Sequence, residues 1–299
     1  MTTPIETRPF TARTDDGVTL RGDLLCPPAP RAVVLTLHAM MVNRRTMDRP
    51  AGRGLASTLA EAGLAVANLD FRAHGDSRPR VTEGALPTYD DYVLHDVPAM
   101  LTALRAAFPG LPVAVVGHSL GGHVTLITSG LLPERAPDAL VMLGANLWLP
   151  ACEPSPLRRL AKRATLTAFV TIARALGTFD APRLRFGTEA ESLPYVEQFV
   201  TFWRTDALRS RDGTLDYAAA IARARLPILS VASEGDRLLA HPASVRAFLA
   251  RAHAARVTHR TVRPGDLSPR APDHMGLVTS PASRPLWDDI ARWLLATLP

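Results

Sequence analysis

Short apolar runs alternate with amphipathic stretches along most of the 299 residues, and this alternation is the feature that most constrains the fold. Runs such as residues 32–37 and 64–69 are almost wholly apolar, as expected of strands that are covered on both faces. Stretches such as residues 92–108 and 284–298 place apolar side chains on one helical face. We therefore predict an α/β fold built on a mainly parallel sheet.

The predicted strands begin with an antiparallel hairpin. Residues 10–14 and 18–25 favour strands, and Asp15-Asp16-Gly17 between them is typical of a hairpin turn. The other strands are predicted at residues 32–37, 64–69, 112–116, 139–143, 227–231 and 256–262. Helices that flank the sheet are predicted at residues 52–62, 92–108, 122–132 and 284–298.

About 80 residues between the strands at 139–143 and 227–231 do not follow the alternation. A structureless loop of that length is improbable in a compact domain, and helices are predicted at residues 157–176 and 193–203. We therefore expect a core of residues 1–146 and 217–299 with an inserted helical cap, or lid, of residues 147–216. An apolar stripe on the first cap helix either lines an acyl pocket or packs the cap on the core: Leu166, Phe169, Val170, Ile172 and Leu176.

The net charge of +6 does not by itself indicate a nucleic-acid partner, because that class needs a basic stripe with interleaved aromatic residues. Lys162 is the only lysine among 34 basic residues, so the charge comes almost entirely from scattered arginines. The densest basic cluster contains no aromatic residue; its members are Arg158, Arg159, Lys162 and Arg163. We expect no nucleic-acid partner.

Cysteine usage and the lengths of apolar runs bear on the compartment. The two cysteines, Cys26 and Cys152, are too few for a disulfide framework and suit a reducing compartment. The N-terminal residues lack the apolar region of a signal peptide, and no apolar run approaches the roughly 20 residues of a spanning helix. We therefore expect a cytoplasmic protein without stable membrane insertion, as a monomer or a homodimer.

A Gly-x-Ser-x-Gly motif occupies residues 117–121, directly between a predicted buried strand and a predicted helix. A serine on such a sharp turn has a strained backbone, and the small residues two positions away on either side let the turn close. The side chain then stands at the carboxyl edge of the sheet, where the dipole of the following helix favours negative charge. This setting indicates that Ser119 is a nucleophile; the alternative is a glycine-rich turn with an idle serine.

Motifs in four places outside the expected cap carry a family resemblance: His38-Ala39-Met40, residues 70–77, residues 117–122, and the pair Gly235-Asp236 and Asp273-His274. On these motifs the chain resembles the α/β-hydrolase superfamily, and most of all its serine aminopeptidase-like or monoacylglycerol-lipase-like group. The resemblance runs from about residue 10 to the C-terminus, apart from the cap. It implies a mostly parallel eight-stranded sheet flanked by helices, with an inserted helical cap.

The resemblance also implies a catalytic triad in the chain order serine, acid, histidine. Asp236 follows the predicted strand at 227–231, where the family carries the acid, and Glu234 is the local alternative. His274 lies in the loop between the last strand and the last helix, where the family carries the base. The acid would accept the histidine N–H and so fix the tautomer of the ring.

Eight other histidines compete with His274 for the role of base. His118 and His123 lie too near Ser119 in sequence to reach its hydroxyl in the correct orientation. The other six are explained by their positions in the fold. His38 and His74 lie in loops or turns, His95, His253 and His259 lie in predicted helices or strands, and His241 lies at the start of a helix.

Acyl transfer needs two donors aimed at the developing oxyanion, and one should be the N–H of Leu120, the residue after the nucleophile. The resemblance assigns the second to the loop after the third strand, where the family usually carries His-Gly-x and this chain carries His38-Ala39-Met40. The Met40 N–H is therefore the expected donor. If Ala39 must adopt the positive φ of the family glycine, it is strained by about 1 kcal/mol or the loop has shifted, and the Ala39 N–H is the alternative.

A serine at the turn excludes reactions that use a carboxylate nucleophile there, such as those of epoxide hydrolases and haloalkane dehalogenases. We expect hydrolysis of a carboxylic ester, with a small-molecule acyl substrate and an acyl-enzyme intermediate. Thioester or amide hydrolysis and acyl transfer use the same groups, and a non-catalytic ligand-binding protein of this fold is an alternative of another class. No cofactor or metal site is expected, because the chain has no histidine pair at helical spacing and only two distant cysteines.

Overall fold

The computed structural model describes residues 5–298, so residues 1–4, the start of the segment considered for a signal peptide, lie outside it. Its strands are β1 (Glu6–Arg13), β2 (Thr19–Cys26), β3 (Val33–Leu37), β4 (Ala65–Leu69), β5 (Val113–His118), β6 (Ala139–Leu143), β7 (Thr178–Phe179), β8 (Glu191–Ser192), β9 (Pro227–Ser233) and β10 (Arg256–Val262). Its α-helices are α1 (Leu55–Glu61), α2 (Tyr89–Asp91), α3 (Val97–Ala107), α4 (Leu120–Leu131), α5 (Pro156–Leu176), α6 (Leu193–Thr205), α7 (Tyr217–Arg223), α8 (Pro242–Leu249), α9 (Gly276–Thr279) and α10 (Arg284–Thr297).

Eight of the strands form one sheet in the order β1-β2-β4-β3-β5-β6-β9-β10. β2 runs antiparallel to both of its neighbours, and the other adjacent strands of the sheet are parallel. The short strands β7 and β8 pair antiparallel outside this sheet. The mostly parallel eight-stranded sheet and its N-terminal hairpin, both predicted from the sequence, are therefore confirmed.

The sheet is a layer between two groups of helices, because successive side chains of each strand point to opposite faces. In β3, Val33 and Leu35 belong to one apolar cluster and Val34 to the other. Side chains of α3, α4 and α7 complete the first cluster, and those of α1 and α10 complete the second. Every residue of β3, β4 and β6 is buried, which explains why these strands are nearly continuous apolar runs in the sequence.

Two predicted helices differ in their boundaries from the helices of the structure. The helix predicted at 52–62 begins only at Leu55, because Gly54 has extended backbone angles (φ −84°, ψ −165°) and is the N-cap. The helix predicted at 92–108 begins at Tyr89 and passes through a π-helical turn at Tyr92–Asp96 before α3. Pro98 lies just after this turn and has no N–H to donate to it, and the Val93 carbonyl in the turn accepts the Thr128 hydroxyl at 2.7 Å.

The segment between β6 and β9 carries the helices predicted at 157–176 and 193–203, here α5 and α6. The Ser155 hydroxyl caps the start of α5, and Gly177 ends this helix with a left-handed backbone (φ 80°). α6 packs on the core through aromatic residues, since the rings of Phe202 and Tyr89 meet edge to face at 5.1 Å. Within residues 5–298, no helix is both long and apolar enough to cross a bilayer.

Candidate active site

Ser119 stands on a sharp turn between β5 and α4, with backbone angles (φ 50°, ψ −109°) that side-chain-bearing residues seldom adopt. The turn closes because its flanking glycines have no side chain. A Cβ at Gly117 would lie 2.4 Å from the carbonyl carbon of Gly121, and a Cβ at Gly121 would lie 2.6 Å from the carbonyl oxygen of Leu37. The Ser119 N–H donates to the Leu143 carbonyl at 2.9 Å and joins the turn to the end of β6.

The Ser119 side chain is partly exposed, although the residues on both sides of it are buried. Within residues 5–298, its Oγ has no hydrogen-bond partner, and the same holds for the N–H of Leu120 at the start of α4. A hydroxyl and an unpaired helix-terminal N–H therefore stand side by side at the carboxyl edge of the sheet. That combination offers a nucleophile beside a site that favours negative charge.

Asp236 and His274 are in direct contact, with 2.6 Å between Asp236 Oδ2 and His274 Nδ1. Asp236 follows β9 and also accepts the backbone N–H groups of Leu239 and Ala240, each at 2.9 Å. Burial raises the pKa of Asp236, but the hydrogen bond and charge of His274 and these two N–H groups outweigh burial and lower it below its ordinary value. An ionised Asp236 fixes the proton on Nδ1 of His274 and leaves Nε2 as a free base.

The alternative acid, Glu234, does not take part in this contact. Glu234 is exposed and lies 3.5 Å from the guanidinium of Arg263. The structure thus brings Asp236, and not Glu234, to the histidine that the sequence singles out.

His274 is held at the ends of β5 and β6, close to the turn that carries Ser119. His118 Nε2 donates to the His274 carbonyl at 3.0 Å, and the two imidazole rings lie 4.7 Å apart. Burial, with the nearby charge of His274, lowers the pKa of His118 to about 3, so this ring stays neutral. A Cβ at Gly144, which has a left-handed backbone (φ 53°), would lie only 3.2 Å from His274 Nδ1. The absence of a side chain at Gly144 therefore makes room for the imidazole.

The other histidines have the structural positions expected for them, with one exception. His123 is buried against the Tyr89 hydroxyl at 2.8 Å, and the ring of His241 caps α8. His95 lies in the π-helical turn and contacts Asp15. His253 lies in a turn between α8 and β10, so its expected position in a helix or strand is wrong.

The loop after β3, residues 38–43, is called the oxyanion loop below. His38 is fully buried and neutral: Nδ1 donates to the Ala39 carbonyl at 2.7 Å, and Nε2 accepts the Phe71 N–H at 3.2 Å. Burial and the charge of His74 lower the pKa of His38 well below its ordinary value, which preserves this arrangement. Within residues 5–298, the Met40 N–H has no acceptor.

Strain in the oxyanion loop falls on a different residue from the one considered in the sequence. Among the described residues, Ala39 is not one of the side-chain-bearing positions with positive φ, so the strain considered for it is not present. The left-handed residue is Met41 (φ 61°), two positions further on. The chain therefore tolerates alanine in place of the family glycine because the turn of the loop is made at Met41.

Two buried carboxylates that the sequence motifs do not mark hold this loop. Glu191 Oε1 accepts the Met41 N–H at 2.6 Å, and Glu189 Oε1 accepts Asn43 Nδ2 at 2.6 Å. Both belong to residues 187–191, called the clamp segment below. Sequence reasoning misses them because the contact joins positions 150 residues apart and no local motif marks it.

His74, in the 70–77 turn that the sequence singled out, reaches the same carboxylate. Its Nδ1 donates to the Arg72 carbonyl at 2.9 Å, and its Nε2 lies 3.3 Å from Glu191 Oε1. Both nitrogens therefore face acceptors, which suits the doubly protonated ring. Burial lowers the pKa of His74, but the charge and hydrogen bond of Glu191 outweigh it and raise this pKa to about 9.

Members of the apolar stripe on α5 line a groove or pack internally, except Leu176, which is exposed. Leu166 and Val170 line a groove of about 1040 Å³ between α5, α6 and residues 203–213, and neither Ser119 nor His274 is among its lining residues. Phe169 instead packs on Phe179, with ring centroids 4.5 Å apart.

One group of possible metal ligands occurs among residues 5–298. Donor atoms of Asp15, Asp16 and His95 come within 4.8 Å of one another beside the N-terminal hairpin. Each is already engaged, because His95 contacts Asp15 at 2.5 Å and Asp16 accepts the Arg72 guanidinium at 2.6 Å. Within residues 5–298, no hydrogen bond joins this group to Ser119, Asp236 or His274.

Comparisons with known proteins found a matching family model and a related enzyme. The family model described as serine aminopeptidase, S33, matches residues 28–265. Human monoglyceride lipase is 24% identical over 224 residues, which cover 70% of this chain and 66% of that enzyme, just under two thirds of its length.

Two solved structures share the fold of this chain. The esterase Pf2001 of Pyrococcus furiosus superposes with a TM-score of 0.64 at 18% identity, over 98% of this chain and 91% of that one. The monoacylglycerol lipase of Paleococcus ferrophilus gives 0.56 at 14% identity, over 98% and 99%. At such identities these structures establish the α/β-hydrolase fold.

Proposed function

This chain belongs to the serine aminopeptidase S33 family of α/β hydrolases, and from that premise we propose that it hydrolyses a carboxylic ester through an acyl-enzyme intermediate. Ser119 is the nucleophile, His274 the base and Asp236 the acid that orients it. The backbone N–H groups of Met40 and Leu120 form the oxyanion hole. The observation that carries the proposal is the 2.6 Å contact between His274 and Asp236 beside the strained turn of Ser119.

The reaction begins when His274 Nε2 takes the Ser119 hydroxyl proton and Oγ attacks the ester carbonyl carbon. The carbonyl oxygen becomes an oxyanion and accepts hydrogen bonds from the Met40 and Leu120 N–H groups. The bond to the alcohol oxygen then breaks, and that oxygen leaves with the proton from the imidazolium. In the second half, water gives its proton to Nε2 and attacks the acyl-enzyme, which releases the carboxylic acid and regenerates the Ser119 hydroxyl.

The electrostatic setting supports these roles. Ionised Asp236 stabilises the imidazolium that forms on His274, and the low pKa of His118 prevents a second positive charge from arising beside it. Each oxyanion donor is worth about 2.7–4 kcal/mol in comparable enzymes. Because both N–H groups lack acceptors within residues 5–298, they are available to the oxyanion without first breaking a bond.

An ester is the proposed substrate because the relatives named above are two lipases and an esterase. Cleavage of thioesters or amides and acyl transfer would use the same residues, and within residues 5–298 no contact at Ser119 favours one of them over ester hydrolysis. We further propose that residues 147–216 form a cap whose contacts with the core select the acyl group.

The test of the proposal is Ser119→Ala, assayed on p-nitrophenyl esters of graded acyl length beside acyl-CoA and aminoacyl anilide substrates. We expect kcat on the best ester to fall by about 10⁶, or roughly 8 kcal/mol, because the substitution removes the nucleophile. A fluorophosphonate probe should label the wild-type protein at Ser119 and leave Ser119→Ala unlabelled.

Ser268→Ala is the matched control, since its hydroxyl donates only to the Arg270 carbonyl, within the segment that precedes His274. It should keep wild-type kcat and labelling. A Ser119→Ala protein that keeps a tenth of the activity would refute the nucleophile. Failure of the folded wild-type protein to react with the probe or with any ester would instead favour a non-catalytic binding protein of this fold.

A further inference from the structure

Three consecutive peptide units of the oxyanion loop are held in place, the first by His38 and the next two by the clamp segment, and the Met40 N–H belongs to the first. The unit between Ala39 and Met40 is fixed by His38, whose Nδ1–H donates to the Ala39 carbonyl at 2.7 Å. A trans peptide points its N–H opposite to its carbonyl. The bond from His38 therefore turns the Met40 N–H away from His38.

The next two units are fixed from residues 187–191. The Met41 N–H donates to Glu191 Oε1 at 2.6 Å. The Met41 carbonyl accepts the N–H groups of Thr188 and Glu189 at 2.8 and 3.0 Å. Gly187 lies so close that a Cβ there would come within 2.2 Å of the same carbonyl oxygen. The loop is therefore clamped directly after Met40, at the residue that carries the positive φ.

Glu191 accepts one backbone N–H with a buried carboxylate. Burying the charge of a carboxylate is unfavourable, so this charge requires an explanation. Glu191 is fully buried, and within residues 5–298 its second oxygen, Oε2, has no hydrogen-bond partner. Desolvation of such a group costs several kcal/mol unless a counter-charge lies near. His74 lies 3.3 Å away and is equally buried, and the pair gains a charge-assisted hydrogen bond that is stronger than a neutral one.

We propose that Glu191 is a positioning residue for the oxyanion hole: it holds Met41 in its left-handed conformation so that the Met40 N–H faces the substrate, with His74 as its counter-ion. The hole is then complete only when the clamp segment is docked on the core. The inference rests on the proposed function, because it assigns a purpose to the geometry of Met40 that only acyl transfer requires.

Three variants test it. Glu191→Leu removes the acceptor, Glu191→Gln keeps an acceptor without the charge, and Glu61→Gln is the matched control at the end of α1, where an exposed carboxylate pairs with Arg284. We expect kcat to fall about 10²-fold for Glu191→Leu and about tenfold for Glu191→Gln, with KM within about threefold of wild type, because the lost contact acts on the transition state. Glu61→Gln should match wild type.

A second readout separates positioning from general damage. A trifluoromethyl ketone of the same acyl chain adds to Ser119 and forms an anionic tetrahedral adduct, whereas substrate binding makes little use of the hole. The affinity of this analogue should fall in parallel with kcat/KM across the variants. Circular dichroism and thermal unfolding establish that each variant is folded; if Glu191→Leu does not fold, Glu191→Gln decides the question.

The proposal is overturned if a folded Glu191→Gln or Glu191→Leu protein keeps kcat within threefold of wild type. It is equally overturned if kcat falls while the affinity for the analogue does not. Failure of the proposed function looks different, because wild type would then neither hydrolyse esters nor bind the analogue through Ser119.

Discussion

The two N–H groups proposed for the oxyanion hole, those of Leu120 and Met40, are held by different kinds of structure. Leu120 begins α4 directly after β5, and the turn before it is fixed by backbone contacts such as the bond from Ser119 N–H to Leu143. Met40 lies in a loop whose peptide units are fixed by the side chains of His38 and Glu191 together with the backbone of the clamp segment. Glu191, which accepts the Met41 N–H, lies 150 positions further along the sequence.

The position of the Leu120 N–H is therefore controlled by steric contacts, and that of the Met40 N–H by electrostatic ones. The turn at Ser119 depends on close backbone approaches that only glycine permits at Gly117 and Gly121, and no titrating group is needed to keep it. The oxyanion loop depends on the charges of Glu191 and His74, both of which are buried. The two halves of one site should therefore respond differently to added side chains and to pH.

The largest effect is expected when a side chain is added on the Leu120 side. In Gly121→Ala, the new Cβ would lie 2.6 Å from both the Cβ and the carbonyl oxygen of Leu37. The start of α4 must move, and it carries the nucleophile and one donor with it, so kcat should fall by about 10³ or more. Ester assays and fluorophosphonate labelling should both show the loss.

Gly213→Ala is the control for this substitution. Gly213 has a positive φ, but among the described residues no atom lies within 4 Å of the place that its Cβ would take, so alanine there costs only local strain. It should lower stability by about 1 kcal/mol and leave kcat unchanged. A Gly121→Ala enzyme within tenfold of wild-type kcat would mean that the turn is less rigid than its contacts indicate.

On the Met40 side, the expected response is to pH. The pKa of His74 is raised from 6.5 to about 9, so its contribution to stability is complete below pH 6.5 and is lost as the pH rises through 9. Since one pKa unit corresponds to about 1.4 kcal/mol, the free energy of unfolding should fall by about 3 kcal/mol over this range. Urea unfolding at a series of pH values measures it.

Glu191→Gln provides the comparison, because an amide cannot raise the pKa of His74. The difference in unfolding free energy between wild type and this variant should therefore shrink from pH 6.5 to about pH 9.5. The groups that face His74 are Glu191 and Glu189 from the clamp segment, with the rings of His38 and Tyr92 on the core. Parallel pH profiles for the two proteins would show that the pair does not titrate as described.

A steric change on the Met40 side should have a smaller effect than the one at Gly121. In Gly187→Ala, the Cβ would lie 2.2 Å from the Met41 carbonyl oxygen, which pushes the clamp segment off the loop. Only one donor is displaced, and Ser119 is untouched, so kcat should fall about 10²-fold with KM nearly constant. Steady-state kinetics beside Gly121→Ala makes the comparison, and a Gly187→Ala enzyme with wild-type kcat would show that the clamp segment does not position the donor.

The contrast also explains how much of the molecule could be predicted from its sequence. The eight-stranded sheet and the motif turn are encoded locally, in apolar runs such as β3 and in the spacing of Gly117 and Gly121. The family resemblance implied the roles of Asp236 and His274, and strand order explains their contact, because the carboxyl ends of parallel strands meet at one edge. Sequence pattern and family resemblance together were enough to anticipate these features.

Two features could not be predicted in this way. The positive φ at Met41 depends on an acceptor from Glu191 and on N–H donors from the clamp backbone, and no pattern near Met41 indicates them. The state of His74 likewise depends on a carboxylate from a distant segment, whereas its own sequence context indicates only a turn. Long-range polar contacts carry no periodicity, so the sequence offers no signal for them.

The smallest expected effect distinguishes the two carboxylates of the clamp segment. Glu189 accepts a side-chain N–H, that of Asn43, whereas Glu191 accepts the N–H of the peptide adjoining Met40. In Glu189→Gln the amide oxygen can still accept from Asn43, and Met41 keeps its own acceptor, so we expect kcat to fall only about threefold, or about 0.7 kcal/mol. Kinetics and analogue affinity beside Glu191→Gln measure the difference. Equal losses for both variants would mean that the clamp acts through its total negative charge, and a larger loss at Glu189 would move the controlling contact from Met41 to Asn43.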